Sequence, residues 1–425
     1  MVEHIDLRGV AFSRRPGLRA QLGIAAGDPL DEAAVQDGRV ALLATGLFEQ
    51  VQVRLAKGKA RGHVKVIYDC TERVTTSIEG MHLGHARPTN LWGGIQLADL
   101  DPFGLGLAVD GGFVASGSQG AVQLGAGPRD LFGTDLRLHV QAHALFGDEP
   151  FVGPRGQGTT ADGALDQVPG AYRRLGLEAS LTAPIGATAR LHFGLRGERV
   201  DHDLPEDAWQ VDPDGVQRPF QFDLNEGWLG AASLGVEFDT RNDPAFPSRG
   251  VRASLHGRAG WLGGPFAAVL TGFENYFRLP FGHVVQLNLR AGAVFGDAPF
   301  FERWFIGDLH PYVPERSLGL NFARRRGPNL LDGPIREQRY ETVAGRLGME
   351  YRIPLKQRTA ADPYAVELFV GTALVSLGTP GERGGADALD PGTPLDLAVD
   401  AGLRIESKIG VMGLSLGNLF LVVDP

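Results

Sequence analysis

Most of the chain alternates strictly between apolar and polar residues. In residues 136–144 one parity carries Leu, Val and Ala, and the other carries Arg, His and Gln. Because successive side chains of a strand point to opposite faces, this period of two predicts strands with one apolar and one polar face. The same separation recurs in residues 189–196, 251–259 and 285–291.

Fifteen such segments follow one another from residue 75 onward. They are approximately 75–84, 91–99, 105–115, 118–127, 134–147, 171–184, 187–202, 227–241, 249–262, 265–279, 283–296, 338–354, 362–377, 393–406 and 411–423. Single-chain bacterial barrels usually have an even number of strands. Either one strand escapes the pattern or the chain stops one strand short.

Two architectures produce this alternation. In a soluble sandwich, two apolar faces pack on each other through large side chains. Here the apolar parity carries mainly Leu, Val and Ala, with Phe146, Trp261 and Phe295 near segment ends. That distribution suits lipid contact flanked by an aromatic girdle. The pattern therefore favours a transmembrane antiparallel β-barrel over a soluble sheet.

The polar parity predicts a water-filled lumen lined by Arg. We expect the following side chains to point inward: Arg137, Arg190, Arg196, Arg252, Arg258, Arg290 and Arg404. We expect the alternate positions to face lipid: Leu138, Leu191, Leu255, Leu287 and Leu403. A shift of one residue would reverse every assignment together. Three long loops, at about 148–170, 203–226 and 297–337, are expected on one side of the membrane.

The first 72 residues follow a different pattern. A strand at His4–Arg8 precedes two helix-like segments, Arg15–Leu22 and Glu32–Leu43, and two further strands follow at Val51–Leu55 and His63–Tyr68. This β-α-α-β-β order predicts a small α+β domain. We therefore expect two domains, residues 1–72 and the barrel at 73–425.

Composition excludes several classes of protein. The 425 residues include 60 Gly, 27 Pro and one cysteine, Cys70, so an intramolecular disulfide and a Cys-based zinc site are excluded. The net charge of -9 argues against a general nucleic-acid binder. No run of about 18 apolar residues occurs, and no signal peptide is visible after Met1.

The sequence contains no Gly-x-Ser-x-Gly elbow, no Walker A loop and no His-Glu-x-x-His pair. We expect neither an enzyme nor a bound cofactor or metal.

Specific segments resemble the outer-membrane assembly-factor superfamily (BamA/TamA-like), whose relatives include the two-partner secretion transporters. Thr45–Val53 resembles the "GxFxxVxV" segment of its periplasmic POTRA domain, and Glu72 occupies that domain's closing acidic position. The most specific match is the turn Asp239–Gly250, which is similar to "DxRxxxxxPxxG". Its matching residues are Asp239, Arg241, Pro247 and Gly250.

The resemblance also implies a loop lock. In the family, an Arg at the tip of the sixth loop enters the lumen and pairs with an Asp of a wall strand. Here Arg316 and the displaced Gly319 are the tip candidates, while the wall strand has Phe369 and, at the Asp position, Gly371. Glu367, on the same strand face, is the nearest acidic substitute. A solvated Arg316 without a fixed partner is the alternative.

Further segments, Gly348–Leu355 and Gly402–Gly410, resemble strands near the family's C-terminus. The family has a final strand after the point where this chain reaches Pro425, which agrees with the count of fifteen. The resemblance therefore implies a 16-stranded barrel whose last strand is missing here.

The resemblance implies a protein of the bacterial outer membrane with its N-terminal domain in the periplasm. Its expected function is β-barrel insertion or translocation, by β-augmentation of an incoming chain and lateral templating at the barrel seam. Expected partners are unfolded outer-membrane or secreted clients, outer-membrane lipid and periplasmic accessory proteins. The alternatives are a two-partner-type secretion pore, a passive diffusion channel and a degenerate copy without activity.

Overall fold

The fold was analysed in a computed structural model of the chain. It describes residues 1–10, 18–19, 22–44, 47–72, 75–86, 90–102, 106–128, 131, 134, 136–152, 167–186, 188–203, 209–211, 217–219, 225–242, 247–304, 308, 316–321, 340–357, 364–379, 395–407 and 410–417.

The N-terminal region is a small α+β unit. Its elements are β1 (Val2–Arg8), α1 (Glu32–Ala44), β2 (Phe48–Lys57) and β3 (Val64–Glu72). The sheet order is β1-β3-β2, with β1 parallel and β2 antiparallel to β3. Tyr68 is fully buried and its hydroxyl donates to the Val35 carbonyl of α1 at 3.0 Å, which ties helix to sheet. The predicted helix Arg15–Leu22 lies mostly outside the described residues.

Within the residues that the structure describes, no helix has the length and apolar character needed to cross a membrane.

The rest of the described chain is dominated by one antiparallel sheet. Its strands are β4 (Thr76–Ala86), β5 (Asn90–Asp99), β6 (Leu107–Ser116), β7 (Gly120–Pro128), β8 (Arg137–Val152), β9 (Gln167–Ile185), β10 (Ala189–Asp203), β13 (Gly227–Asp239), β14 (Gly250–Leu262), β15 (Gly264–Arg278), β16 (Val284–Gly296), β19 (Val343–Lys356), β20 (Ala365–Gly378), β21 (Leu395–Ser407) and β22 (Gly410–Gly417). Two small hairpins, β11 (Trp209–Val211) with β12 (Gln217–Pro219) and β17 (Arg316–Ser317) with β18 (Leu320–Asn321), interrupt the series.

Each strand of the sheet pairs with its chain neighbours in the sheet, so the order runs from β4 to β22 without a crossover. The fifteen strands agree in number with the fifteen alternating segments, and the predicted fold class is confirmed. One loop is shorter than predicted, because β8 and β9 continue pairing as far as Val152 and Gln167. The alternation weakens there, but the hydrogen-bonded ladder continues.

The sheet is curled but not closed. β4 and β22 are its two end strands, and they approach each other. In the described part of the chain no backbone ladder joins them, whereas every other neighbouring pair is hydrogen-bonded. The result is a barrel-like sheet with one open seam.

The sheet has apolar side chains on its outer face and charged side chains on its inner face, which is the reverse of a soluble protein. Outward positions carry exposed apolar side chains such as Leu83 (79% exposed), Leu175 and Leu195 (67%). Inward positions carry buried charged groups, including Glu198 and Arg352. An apolar surface of this extent marks contact with lipid or another protein, and an apolar band around a polar interior is the arrangement of transmembrane barrels.

This orientation makes a prediction for Leu195, in the middle of β10. The change Leu195→Arg should lower stability in phospholipid vesicles by about 2–4 kcal/mol, because an Arg at the membrane midplane is costly. The urea midpoint of vesicle-reconstituted protein measures this loss. The control is Leu30→Arg, which places Arg at a partly exposed position of the N-terminal region. Equal midpoints for the two variants would contradict a lipid-facing Leu195.

Candidate functional site

The inner face of β10, β13 and β14 brings two Arg side chains to one carboxylate. Arg190 Nη1 lies 3.4 Å from Glu237 Oε1, and Arg252 Nη2 lies 2.8 Å from Glu237 Oε2. Arg190 is near the start of β10 and Arg252 near the start of β14, so the group lies at the end of the sheet where β4 begins. We call this the domain-side end.

A second carboxylate is held farther along the same strands. It belongs to Glu302, which lies in a short 3-10 turn, Phe300–Glu302, directly after β16. Arg258 Nη1 lies 2.7 Å from Glu302 Oε2, and Arg196 donates to the other oxygen. Burial by itself raises the pKa of the Glu302 carboxyl, but attraction by Arg196 and Arg258 outweighs it and lowers the pKa to about 2.

A buried ionic chain continues from Arg196 towards β8. Arg196 Nε lies 3.7 Å from Glu198 Oε2, and Glu198 is fully buried. Arg174 of β9 donates two hydrogen bonds to Glu198, and its guanidinium lies 3.9 Å from the centre of the Phe301 ring. The guanidinium therefore joins a wall carboxylate to the aromatic turn that follows β16.

Aromatic packing holds the same turn against the inner wall. The Phe300 ring makes edge-on contacts with Tyr172 of β9 and with Tyr340, at 5.5 and 5.1 Å between ring centres. Trp304 forms a backbone bridge with Glu341, and its ring lies over Gly292 of β16 so closely that a Cβ there would overlap it. The first part of the long loop thus lies inside the curled sheet.

A second described part of the same loop also contacts the inner wall. The hairpin β17–β18 has Leu318 and Gly319 at its turn, both with positive φ. Leu320 is fully buried. A Cβ added to Gly319 would lie 3.2 Å from a methyl of Leu145 and 3.5 Å from Arg174, so the hairpin tip rests against β8 and β9.

The predicted lock between Arg316 and Glu367 stays a prediction. The side chain of Arg316 lies outside the described residues, and only its backbone pairing with Asn321 is seen. Glu367 contacts a different Arg, because Arg404 Nη1 lies 3.6 Å from its Oε2. Phe369 is 2% exposed and its ring lies 5.1 Å from the Arg404 guanidinium.

The space beside Gly371 is occupied from the neighbouring strand. Gly371 pairs in register with Asp400, whose carboxylate lies where a Gly371 side chain would begin. Asp400 Oδ2 in turn lies 3.7 Å from Arg346 Nη2. A carboxylate is therefore present at this point of the wall, but β21 supplies it.

A third ionic cluster lies at the domain-side end of β16, β19, β20 and β21. Glu350 accepts hydrogen bonds from Arg352, on its own strand, and from Arg404 at 3.2 Å. Arg352 also donates to Gln286. Glu350, Arg352 and Arg404 are all buried. The hydrogen bond from Arg404 to Glu350 joins β21 to β19, which are separated in the sheet by β20.

The turn that resembles the family motif is built by side-chain hydrogen bonds. Arg241 donates to both carboxylate oxygens of Asp239, at 3.0 and 2.8 Å. Asn242 Oδ1 accepts from the backbone N–H groups of Ser248 and Arg249, at 3.0 and 2.8 Å. The Pro247 carbonyl accepts from Arg352 at 3.4 Å, so the turn reaches the third cluster.

Gly250 is required by this turn. Its φ of +105° is rarely adopted by other residues, and a Cβ would overlap the Thr240 carbonyl. Gly250→Ala should therefore lower stability by about 2 kcal/mol or more, measured as a lower urea midpoint. Gly186→Ala is the control, since Gly186 also has positive φ but no atom within 4 Å of such a Cβ. An equal fall in the urea midpoint of Gly186→Ala would contradict a specific requirement for Gly250.

The sequence did not show which groups the predicted inward Arg residues contact. Five of the seven predicted inward Arg residues lie near carboxylates, and Arg290 donates to the Asp308 carbonyl at 3.0 Å. Arg137, the first residue of β8, is exposed. The partner carboxylates are Glu198, Glu237, Glu302, Glu350 and Glu367. A single acid within the apolar segment that follows Asp297 was the available signal for Glu302.

Comparisons with known proteins agree with this geometry. Residues 156–310 match the Omp85 superfamily domain. The structure of BamA from Haemophilus ducreyi lacking POTRA domains 1-3 is similar over 100% of this chain and 81% of its own, at 17% identity and a TM-score of 0.61. CdiB from Escherichia coli is similar over 100% and 73%, at 12% identity and a TM-score of 0.53. No curated protein matches the sequence.

Proposed function

Because this chain carries an Omp85 superfamily domain in a BamA-like fold, we propose that it inserts β-barrel clients into the bacterial outer membrane. The resemblance read from the sequence is confirmed, and the family is one of outer-membrane insertases and translocation proteins. The insertase activity, the clients and the mechanism are the proposal. The proposed insertion requires no cofactor and no enzymatic step, because strand pairing needs no covalent chemistry.

The observation that carries the proposal is that, among the residues the structure describes, no backbone ladder joins the end strands β4 and β22. We call this gap the seam. A strand edge in hydrocarbon has unpaired N–H and C=O groups, and lipid offers them no hydrogen-bond partner. A client strand that pairs with such an edge satisfies these groups on both sides. The seam therefore favours templating of an incoming strand over a permanently closed wall.

The N-terminal unit supports an earlier step. β2 is an edge strand of its three-stranded sheet, with β3 on one side. An edge of this kind accepts an extended peptide by β-augmentation. We propose that this unit lies in the periplasm and receives unfolded clients there.

A translocation pore for a secreted partner is the second candidate, favoured by the polar inner face with its charged clusters. A passive diffusion channel is less well supported, because described parts of the long loop lie inside the curled sheet.

Insertion can be tested with the full chain in liposomes. We expect it to accelerate folding of an unfolded outer-membrane barrel, followed as protease-resistant product, relative to empty liposomes. Planar-bilayer recordings of the same protein should show brief or no openings. Steady conductance without accelerated folding would favour the passive channel and contradict the proposal.

A further inference from the structure

The Glu302 carboxylate occupies a ready-made binding site. The site is formed by Arg196 and Arg258, which approach from β10 and β14, with β13 between them. Glu302 itself comes from a loop and not from the wall. The cations are thus fixed by the sheet, whereas the anion is on a segment held by side-chain packing and one backbone bridge.

We propose that Arg196 and Arg258 form a receptor for the carboxylate of an extended polypeptide, and that Glu302 fills it as an internal ligand until the loop withdraws. The incoming group is an Asp or Glu side chain of a client segment, so the inference rests on the proposed function.

The strand between the two Arg residues carries small inward side chains. Arg196 pairs in register with Ala231 on one side and with Glu178 on the other. Arg258 pairs with Ser233, which also pairs with Gly194. The two β13 residues that pair with these Arg residues, Ala231 and Ser233, have small side chains. An extended chain could lie there with its carboxylate at the position of Glu302.

Energetics favour an exchange of ligands over an empty site. Without Glu302, the largely buried Arg196 would keep the Glu198 carboxylate at 3.7 Å, and loss of one partner carboxylate from a buried cation is destabilising. A client carboxylate that replaces Glu302 restores the same charge-assisted hydrogen bonds, so the loop then loses mainly its aromatic contacts. The tethered Glu302 competes at an effective concentration in the millimolar range, which keeps the site closed to weak or single contacts.

The site can be emptied by Glu302→Ala in the full chain. Millimolar acetate should then raise the thermal unfolding midpoint of the variant, whereas acetamide should not. A fluorescein-labelled octapeptide of alternating Ala and Glu should bind Glu302→Ala at least about tenfold more tightly than the unmodified protein. The matched octapeptide with Gln in place of Glu should show no such gain.

The control variant combines Glu302→Ala with Arg196→Gln and Arg258→Gln. It should respond neither to acetate nor to the acidic peptide. Equal peptide binding by the two variants, or an absent acetate effect, would overturn the inference. If Glu302→Ala does not fold, Glu302→Gln with and without the two Arg changes gives the same peptide comparison. Liposome insertion by the unmodified protein is scored separately, so a failed receptor and a failed insertase are distinguishable.

Discussion

Glu302→Gln is expected to produce long-lived channel openings that the unmodified protein does not show. The change removes the carboxylate that Arg196 and Arg258 share, and loss of one partner from a buried ion pair costs about 3–5 kcal/mol. The lower end applies here, because the side chain of Arg258 is 43% exposed. A loss of that size outweighs any single remaining contact of the turn, so the loop should leave the wall for much of the time.

Single-channel recording measures the effect. We expect long-lived openings in Glu302→Gln under conditions where the unmodified protein stays closed. Asp201→Asn is the matched control, since it removes an exposed carboxylate that pairs with Arg199 away from the loop. If both variants remain closed, Glu302 does not hold the loop inside the sheet.

Channel opening is expected to depend on pH through protonation of the Glu302 carboxylate. The pKa of Glu302 is lowered to about 2, below the value of about 4.3 for an unperturbed Glu. At a pH above the unperturbed pKa, the ionised Glu302 contributes its full stabilisation to the loop in its folded position. This stabilisation is lost as the pH falls through about 2 and the carboxylate becomes protonated. We therefore expect the unmodified protein to stay closed at pH 5 and to show openings near pH 2, whereas Glu302→Gln should open at both.

The alternation of apolar and polar residues predicted the sheet because period two is a local property of the chain. It placed fifteen segments and separated positions such as Arg196 from outward Leu195. It could not pair Arg252 with Glu237, because that contact depends on the register between β13 and β14. The carboxylate beside Gly371 shows the same limit, since it comes from Asp400 on another strand.

The long loop was harder to predict for a different reason. Its apolar residues indicated an inward position, and the described part around Phe300 and Phe301 is buried. The resemblance implies a wall contact by Arg316, which stays a prediction. In the described residues the loop contact has the acid, Glu302, on the loop and the Arg residues on the wall. The local signal, a single acid within an apolar segment, marks Glu302 but does not say which wall residues it contacts.

Glu350→Gln is expected to cause a large loss of stability. The Glu350 carboxylate is buried and accepts hydrogen bonds from Arg352 and Arg404, which lie on β19 and β21. A neutral amide would leave both guanidinium groups in the same buried positions with one negative charge fewer. Such a loss costs about 3–5 kcal/mol, and it should loosen the strands adjoining β22.

The urea midpoint of the folded chain in vesicles measures this loss, with Glu79→Gln on exposed β4 as the control. A double-mutant cycle separates the ion pair from simple loss of packing. If Glu350 and Arg404 interact as described, Glu350→Gln combined with Arg404→Gln should cost less than the sum of the single changes, because the second change removes the cation that the first left behind. Additive losses would show that the two groups act independently and that the cluster does not join β19 to β21.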